Sequence, residues 1–395
     1  MAYHKSVVDE NKLQLYNLRK ERLKKALSEY FNKAIRNGAI VGAGVSVVKG
    51  DSIIISGGYG KRKAYGEKEV DGNTVFRLGS LSKGFTGVLA ANLKAEGKLA
   101  WDDKITDYIP EFRLGTLRNT ANVKLEHILS HTTGTPYHTF TNLIEEGWSM
   151  DLIAKRFKQV RPLSQPGKEY SYQNAMFALS QAVVQKSTGK KIETLLEERF
   201  FKPLGMNNMS TNHIDLLNTE NKALPSVRRK RGWQRKPLTE RYYNAIAAGG
   251  VNASAEDMAK WMRFLLGYNP EVMKAKDFKE VFNPYVSFKN NRKYYQKWQG
   301  HLKSSYGFGW RIHELQETDN KKITIWHHGG SVNNFRNEIA IYPDVDLGIC
   351  VLLNSQSKIT KTLVPDLYNL VKEIYVDIPE NLNNIDIVDV SFENN

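Results

Sequence analysis

Runs of β-branched residues lie near both ends of this chain, and the long stretch between them has helical patterning. Near the start, Ile40–Val48 and Ile53–Gly57 are joined by four turn-forming residues, which predicts a hairpin. Near the other end, four extended segments precede a helix predicted over about 360–375: Tyr306–Ile312, Lys322–Trp326, Asn337–Tyr342 and Leu347–Leu353. This pattern predicts an α/β (α+β) chain in which both termini build one sheet and a mostly helical region is inserted.

The change in patterning gives approximate boundaries for the two parts. An α/β part is predicted in 1–78 and 296–395, and a mostly helical part in 79–295. The first helix is predicted to end near Asn37-Gly38, and the last twenty residues are predicted to be poorly ordered. A cleft between two such parts is a common place for an active site.

Composition limits the classes to which the protein can belong. Hydrophobic residues make up 41% and charged residues 25%, which is typical of a globular domain. No stretch approaches the roughly 20 apolar residues that cross a bilayer, so no transmembrane segment is expected. The single cysteine, Cys350, excludes an intramolecular disulfide, and its apolar neighbours favour a buried thiol over a catalytic one.

A net charge of +15 raises the question of an anionic partner. Part of the charge is concentrated in the segment from Arg228 to Lys236, around Trp233. A solvated loop is the favoured interpretation, and contact with an anionic cell-envelope surface is the main alternative. No nucleic-acid-binding motif accompanies the segment, so a nucleic-acid partner is not expected.

The sequence Ser80-Leu81-Ser82-Lys83 is the strongest local indication of chemistry. If a helix begins at Ser80, then Ser80 and Lys83 lie one turn apart on the same face. A serine hydroxyl is a poor nucleophile at neutral pH and needs a base beside it, which the lysine amine can provide. The pair therefore predicts a nucleophile, although an N-cap serine followed by a solvated lysine would read the same.

Two further elements carry groups suited to the same chemistry. Tyr172 stands two residues before Asn174; a phenol with a pKa lowered by cations could shuttle protons, and the Asn174 amide could bind an amide substrate. His327-His328-Gly329-Gly330 follows a predicted strand and could present a backbone N–H opposite Ser80.

Together these elements resemble the active-site triplet of the penicillin-recognising serine hydrolases, particularly the class C β-lactamases with their DD-peptidase and esterase relatives. Leu129–Gly134 resembles the family's Ser-His-Thr-Ser-Gly segment, and Ala248–Met258 resembles a stretch that precedes a helix in class C enzymes. Tyr306–Trp310 resembles the strand before the third element, so the likeness extends over about residues 20–375. It implies a β-lactamase/transpeptidase-like fold, with an antiparallel sheet flanked by helices and a mostly helical region.

The resemblance also implies a role for each matched residue. Ser80 would attack the substrate carbonyl, and Lys83 would accept or relay its proton. Tyr172 would protonate the leaving nitrogen and later activate the deacylating water, while Asn174 would orient the substrate amide. The backbone N–H groups of Ser80 and Gly330 would form the oxyanion hole. No cofactor is implied, and whether Lys83 or Tyr172 is the first base stays open.

The third element departs from the family pattern. Class C β-lactamases usually have Lys-Thr-Gly where this chain has His327-His328-Gly329. A histidine is mostly neutral at pH 7, so recognition of a substrate carboxylate by His327 should be weaker or more pH-dependent than recognition by lysine. Arg336, just downstream, is a candidate for the missing cation.

A zinc site was the remaining alternative for this chemistry. His127 and His131 lie four residues apart, but Ile128 stands where a zinc protease needs its glutamate. No metal site is therefore expected.

The sequence thus predicts a serine hydrolase that acts on a small-molecule amide or ester through an acyl-Ser80 intermediate. A class C-like β-lactamase is the leading hypothesis; the alternatives are a D-Ala-D-Ala carboxypeptidase and a carboxylesterase or D-amino-acid amidase. A penicillin-binding module that deacylates too slowly to be a catalyst is the non-enzymatic alternative. The resemblance implies a periplasmic protein, while the polar start of the chain has no secretory signal and keeps a cytoplasmic location open.

Overall fold

A computed structural model describes residues 2–288, 293–318 and 320–378. Its main feature is an eight-stranded antiparallel sheet with the strand order β2-β1-β12-β11-β10-β9-β8-β7, accompanied by two small two-stranded sheets, β3-β6 and β4-β5. The strands are β1 Gly42–Lys49, β2 Ser52–Gly60, β3 Phe76–Arg77, β4 Ser226–Arg229, β5 Gly232–Arg235, β6 Asn252–Ala253, β7 Val286–Ser287, β8 His301–Tyr306, β9 Arg311–Thr318, β10 Lys321–Val332, β11 Phe335–Tyr342 and β12 Leu347–Leu353.

Most helices lie between β3 and β7 in the chain. They are α1 Ala2–Arg36, α2 Ser82–Ala95, α3 Ile105–Tyr108, α4 Leu117–Asn122, α5 Leu125–Leu129, α6 Thr141–Glu145, α7 Met150–Arg156, α8 Asn174–Ala178, α9 Ser180–Thr188, α10 Ile192–Leu196, α11 His213–Asn218, α12 Ile246–Gly249, α13 Ala255–Leu265, α14 Ala275–Phe278 and α15 Leu363–Asp377. None of the described helices is both long enough and apolar enough to span a bilayer.

Strands from the two ends of the sequence are neighbours in the sheet. β1 pairs with β12, so that Val45 lies opposite Val351, although about 300 residues separate them. Both strands are buried along almost their whole length, because helices cover both faces of the sheet. The apolar residues of α1 and α15 pack on one face, and α2 and α13 pack on the other. The predicted antiparallel sheet flanked by helices is confirmed.

Two predicted elements are corrected by the structure. The segment predicted as one strand over Tyr306–Ile312 is instead the end of β8, a turn and the start of β9. Gly309 has a φ of +83° there, and a Cβ on it would lie 2.3 Å from the Lys83 carbonyl oxygen. Ser80 lies in a 3₁₀ turn, Gly79–Leu81, and the α-helix begins two residues later than predicted, at Ser82.

Several local predictions agree with the structure. The first helix ends at Arg36, next to the predicted Asn37-Gly38 stop. Cys350 is buried in β12, as its apolar neighbours predict. Residues 379–395, predicted to be poorly ordered, lie outside the described part of the chain.

Candidate active site

Ser80 lies between two side chains that can exchange a proton with it. Its Oγ is 3.3 Å from Lys83 Nζ and 2.8 Å from the phenol oxygen of Tyr172. Lys83 Nζ is also 2.7 Å from Asn174 Oδ1 and 2.7 Å from the carbonyl oxygen of Ala248. The structure therefore brings together all four side chains from the first two predicted elements.

Different elements hold these groups in position. Lys83 lies in the first turn of α2, directly after the 3₁₀ turn that carries Ser80, and Asn174 is the first residue of α8. Asn174 Nδ2 donates a hydrogen bond to the hydroxyl of Tyr242, at 3.0 Å. This bond orients the amide so that its oxygen faces the Lys83 amine.

The backbone on either side of Tyr172 is fixed by His131. The His131 carbonyl accepts from Ser171 N–H at 2.8 Å, and its Nδ1 accepts from Gln173 N–H at 3.1 Å. The buried His131 ring packs on the Tyr172 ring, with centroids 4.3 Å apart. His131 thus supports the phenol rather than serving as the zinc ligand considered and rejected above.

Burial changes the proton affinities of Lys83 and Tyr172 in opposite directions. Desolvation, assisted by the charge of Arg311, holds the pKa of the Lys83 amine well below its usual range. Desolvation raises the pKa of the Tyr172 phenol to about 12, and the opposing effect of Arg311 is smaller. The lowered phenol pKa considered from the sequence is therefore not what the structure gives. The structure thus gives the amine a lowered pKa and the phenol a raised one.

The third element brings the end of β10 beside Ser80, one residue out of the predicted register. Val332 and Phe335 close a two-residue turn at Asn333-Asn334, both with positive φ, so these two strand residues form a hydrogen-bonded pair. Hydrogen-bonded and non-hydrogen-bonded residue pairs alternate along an antiparallel ladder. Gly330 is therefore in a hydrogen-bonded pair, and its N–H points to β11. Ser331 is in a non-hydrogen-bonded pair, so its N–H points away from β11, to the edge of β10 that has no partner strand there.

Cleft contacts agree with this register. Ser331 and Gly329 line the cleft with Ser80, whereas a Cβ on Gly330 would lie 2.1 Å from the Leu78 carbonyl oxygen. Gly330 therefore permits the close approach of β10 to the nucleophile turn, and Ser331 offers the free backbone donor.

Neither histidine of the third element lines the cleft, which corrects the expectation that His327 faces the substrate. Successive residues of β10 point to opposite faces of the sheet. His327 is buried between Glu338, at 2.7 Å from its Nε2, and His313, at 3.1 Å from its Nδ1. His328 is also buried, and its Nε2 is 3.0 Å from the hydroxyl of Tyr306. Burial holds the pKa of both imidazoles well below its usual range.

Arg311, which the sequence analysis did not single out, is one of the cations that line the cleft. It is the first residue of β9 and lines a cleft of about 440 Å³ together with Ser80, Tyr172 and Arg336. Its Nε and Nη1 atoms are buried and have no hydrogen-bond partner among the described residues. The guanidinium lies over the rings of Tyr172 and Tyr295 and hydrogen-bonds to Tyr295, so Nε and Nη1 are the atoms left for an anion in the cleft. Its position directly after Tyr306–Trp310, a segment already noted, could have drawn attention to it.

Arg336, the candidate cation from the sequence, is already paired. Its Nη2 donates to Glu338 Oε1 at 2.8 Å and to the hydroxyl of Tyr294 at 3.3 Å. Arg336 lies in the wall of the cleft, so it contributes to the shape of the site while its charge is neutralised.

The basic segment forms the exposed hairpin β4-β5. Arg228 stacks on Trp233, and Arg235 donates two hydrogen bonds to the carbonyls of Ala64 and Tyr65. These contacts attach the hairpin to the body of the protein. Arg229, Lys230 and Arg231 at its tip are exposed.

Comparison with known proteins agrees with this geometry. The profile of the family described as Beta-lactamase matches residues 25–369. An unguisins hydrolase from Aspergillus campestris is 25% identical over 333 residues, covering 80% of this chain and 59% of that protein. Protein flp from Staphylococcus aureus is 22% identical over 348 residues, covering 84% of this chain and 63% of that protein. This chain thus spans about three-fifths of the length of these curated relatives.

A solved structure has the same fold. The octameric penicillin-binding protein homologue from Pyrococcus abyssi superposes with a TM-score of 0.73 and 20% identity, over 89% of this chain and 80% of that one. The antiparallel sheet, the helical region and the profile match across 25–369 lead to one conclusion. The chain belongs to the β-lactamase family of serine hydrolases.

Proposed function

We propose that this protein is a serine hydrolase that forms an acyl-enzyme on Ser80 with substrates that carry a carboxylate, and that it acts as a class C-like β-lactamase. The observation that carries the proposal is the placement of Ser80 Oγ between Lys83 and Tyr172, at 3.3 and 2.8 Å. The same cleft contains Arg311, whose Nε and Nη1 atoms have no hydrogen-bond partner among the described residues.

The hydrogen bonds around Lys83 support its role as the first base. A neutral amine has two N–H donors, which Asn174 Oδ1 and the Ala248 carbonyl can accept, each at 2.7 Å. Its lone pair is then free to accept the Ser80 proton, and the Tyr172 phenol donates to the same Oγ. Ser80 Oγ attacks the carbonyl carbon as its proton passes to Lys83.

The remaining proton transfers follow from the same contacts. When the C–N bond breaks, Tyr172 gives its proton to the leaving nitrogen, and the Lys83 ammonium returns the serine proton to the phenolate. In deacylation a water attacks the ester carbonyl, and its proton passes to the neutral Lys83 amine, which returns it to Oγ as the ester C–O bond breaks. The cycle therefore consumes one water and restores the enzyme.

The backbone N–H groups of Ser80 and Ser331 are the proposed oxyanion donors. The strand register frees Ser331 N–H, and Ser331 lines the cleft beside the nucleophile. Each donor of this kind contributes about 3 kcal/mol to transition-state stabilisation.

Arg311 supports a substrate with a carboxylate over a neutral ester. An anion placed at its free Nε and Nη1 atoms would complete the hydrogen bonds of a buried cation. β-Lactams and D-Ala-D-Ala peptides both carry such a group, so a D-Ala-D-Ala carboxypeptidase is the second candidate. A penicillin-binding module that acylates without turnover would use the same contacts.

Intact-protein mass spectrometry with nitrocefin and penicillin tests the proposal. One adduct should form, disappear within seconds as product accumulates, and be absent in Ser80→Ala. An adduct that persists for hours would identify the binding module, and turnover of a D-Ala-D-Ala peptide without turnover of nitrocefin would identify the peptidase. Labelling that survives in Ser80→Ala would overturn the assignment of the nucleophile.

A further inference from the structure

A row of hydrogen-bonded polar side chains crosses the protein interior behind the cleft. We call His301, Ser304, His313, His327 and Glu338 the histidine row. Consecutive members are linked at 2.7, 2.8, 3.1 and 2.7 Å. All except His301 are buried, and the apolar residues around them belong to the sheet core. Burying polar side chains in apolar surroundings costs desolvation free energy even when all of them are hydrogen-bonded. The residues that the row contacts at its ends therefore indicate its role.

The row has a defined direction while Glu338 is ionised. A carboxylate only accepts hydrogen bonds, so His327 must donate from Nε2 and accept at Nδ1. His313 must then donate from Nε2 to His327 and accept at Nδ1 from the Ser304 hydroxyl. A protonated Glu338 can donate to His327 instead, which reverses every bond in the row.

Glu338, at the end of the histidine row nearest the cleft, accepts hydrogen bonds from two residues of the cleft wall. The Tyr294 hydroxyl donates to both Glu338 oxygens, at 2.9 and 2.8 Å, and Arg336 Nη2 donates at 2.8 Å. Tyr294 and Arg336 both line the cleft, whereas Glu338 is only 1% exposed. Glu338 therefore acts on a substrate only through these two neighbours.

Burial raises the pKa of Glu338 to about 7, against the lowering effects of Arg336, Tyr294 and Arg311. Cys350, on β12, is a further neighbour; burial raises the pKa of its thiol, which is therefore neutral. Burial keeps His327 neutral as well. The charges beside Glu338 are thus those of Arg336 and Arg311.

We propose that Glu338 is a positioning residue that determines how strongly the cleft binds anionic substrates, by holding Arg336 and Tyr294 in the wall and neutralising Arg336. The proposal rests on the proposed hydrolase function. When Glu338 is ionised, its carboxylate balances the charge of Arg336, and the Arg311 guanidinium has no such carboxylate. When Glu338 is protonated, the charge of Arg336 is no longer balanced either, and the cleft then has two such guanidinium groups. Preference for an anionic substrate should therefore rise as the pH falls through about 7.

Two matched esters isolate this effect: p-nitrophenyl valerate, which is neutral, and mono-p-nitrophenyl glutarate, which carries a carboxylate. The ratio of their kcat/KM values cancels the titration of Lys83 and Tyr172, because both esters use the same chemistry. In the unsubstituted protein the ratio should rise about threefold or more in favour of the glutarate between pH 8.5 and 5.5. Glu338→Gln, which keeps size and removes charge, should give the high ratio at every pH.

A control variant separates charge in the cleft from general damage. Glu317→Gln removes another mostly buried carboxylate, one paired with Lys321 and Lys372 away from the cleft, and should keep the pH-dependent ratio. A ratio that is flat in the unsubstituted protein, or still pH-dependent in Glu338→Gln, overturns the proposal. If the unsubstituted protein neither hydrolyses the valerate ester nor forms an adduct on Ser80, the result would instead count against the hydrolase function.

A measurement without any substitution guards against a variant that does not fold. Nitrogen-15 NMR of the histidines should give the Nε2–H tautomer for His313 and His327 at pH 8.5, and the Nδ1–H tautomer below about pH 6. Tautomers that do not change over this range would overturn the coupling of the row to Glu338.

Discussion

At Ser80, two side chains of opposite proton affinity act on a single hydroxyl. The Lys83 amine gives up its proton readily because it is buried, and the Tyr172 phenol retains its proton for the same reason. In the proposed mechanism this difference, to which Arg311 contributes at Lys83, assigns the base to Lys83 and the acid to Tyr172.

Tyr172→Phe tests the acid at this site. Removal of one oxygen leaves the ring packed on His131, so the melting temperature should change by only a few degrees. The kcat for nitrocefin should fall by about 100-fold or more, as for other general acid–base groups. Tyr170→Phe, in the same cleft but without a bond to Ser80, is the matched control. A near-normal rate in Tyr172→Phe would exclude the phenol from the mechanism.

Arg311→Met tests the proposed carboxylate site. Methionine keeps much of the aliphatic stem and removes the charged hydrogen-bond donors, so the KM for nitrocefin should rise about 10-fold to 100-fold. The KM for a neutral p-nitrophenyl ester should change by less than about threefold, since no anion is bound. Equal losses for both substrates would mean that Arg311 has a structural role only.

At the scale of elements, the sequence predicted most of the framework but not the register within it. β12 has the predicted bounds, because a continuous apolar run between turns defines a buried strand well. The β8–β9 turn was missed because its two aromatic residues resemble strand residues. Arg311 gains its role only from that turn, which starts β9 at the cleft.

The same limit applies at the third element. The face of the sheet to which each of the two adjacent histidines points depends on strand alternation, and which backbone N–H is free depends on the ladder. The Asn333-Asn334 turn fixes both, but only once the pairing of β10 with β11 is known. The remaining candidate residues could be predicted from the sequence because their expected roles depend on side-chain type: Ser80, Lys83, Tyr172 and Asn174.

The β4-β5 hairpin carries a prediction of its own. Its tip cations Arg229, Lys230 and Arg231 have no carboxylate within 4 Å among the described residues, in keeping with a surface that contacts an anionic polymer. Changing all three to Gln should weaken binding of polyphosphate at low salt by about 10-fold, while hydrolysis of a neutral ester is unaffected. The same change at the exposed Lys24, Lys25 and Lys33 of α1 removes equal charge and should have little effect. Equal effects in both variants would mean that only net charge matters.

For the whole molecule, buried histidines predict a loss of stability in acid. Five buried imidazoles have a pKa below the usual value: His127, His131, His313, His327 and His328. The unfolded chain binds protons at these sites below about pH 6.5, whereas the folded protein does not, so stability falls as the pH falls. Glu338 acts in the opposite sense, because its raised pKa lets the folded protein bind a proton first.

The five imidazoles outnumber the one opposing carboxyl, so the free energy of unfolding should fall as the pH falls below about 6, by about 1.4 kcal/mol per pH unit for each net proton. Urea unfolding between about pH 6.5 and 4.5 measures this slope. A free energy of unfolding that is constant over this range would contradict the prediction.

The pairing of β1 with β12 also has a consequence for how the protein is made. The partner of Val45 is Val351, so β1 cannot complete its pairing until residue 351 has left the ribosome. At about 5 to 20 residues per second, the first hairpin waits for about 15 to 60 seconds with one edge of β1 unpaired. During that time its apolar faces and free backbone groups are exposed to other nascent chains. A chaperone that binds this hairpin during translation would shield both from aggregation.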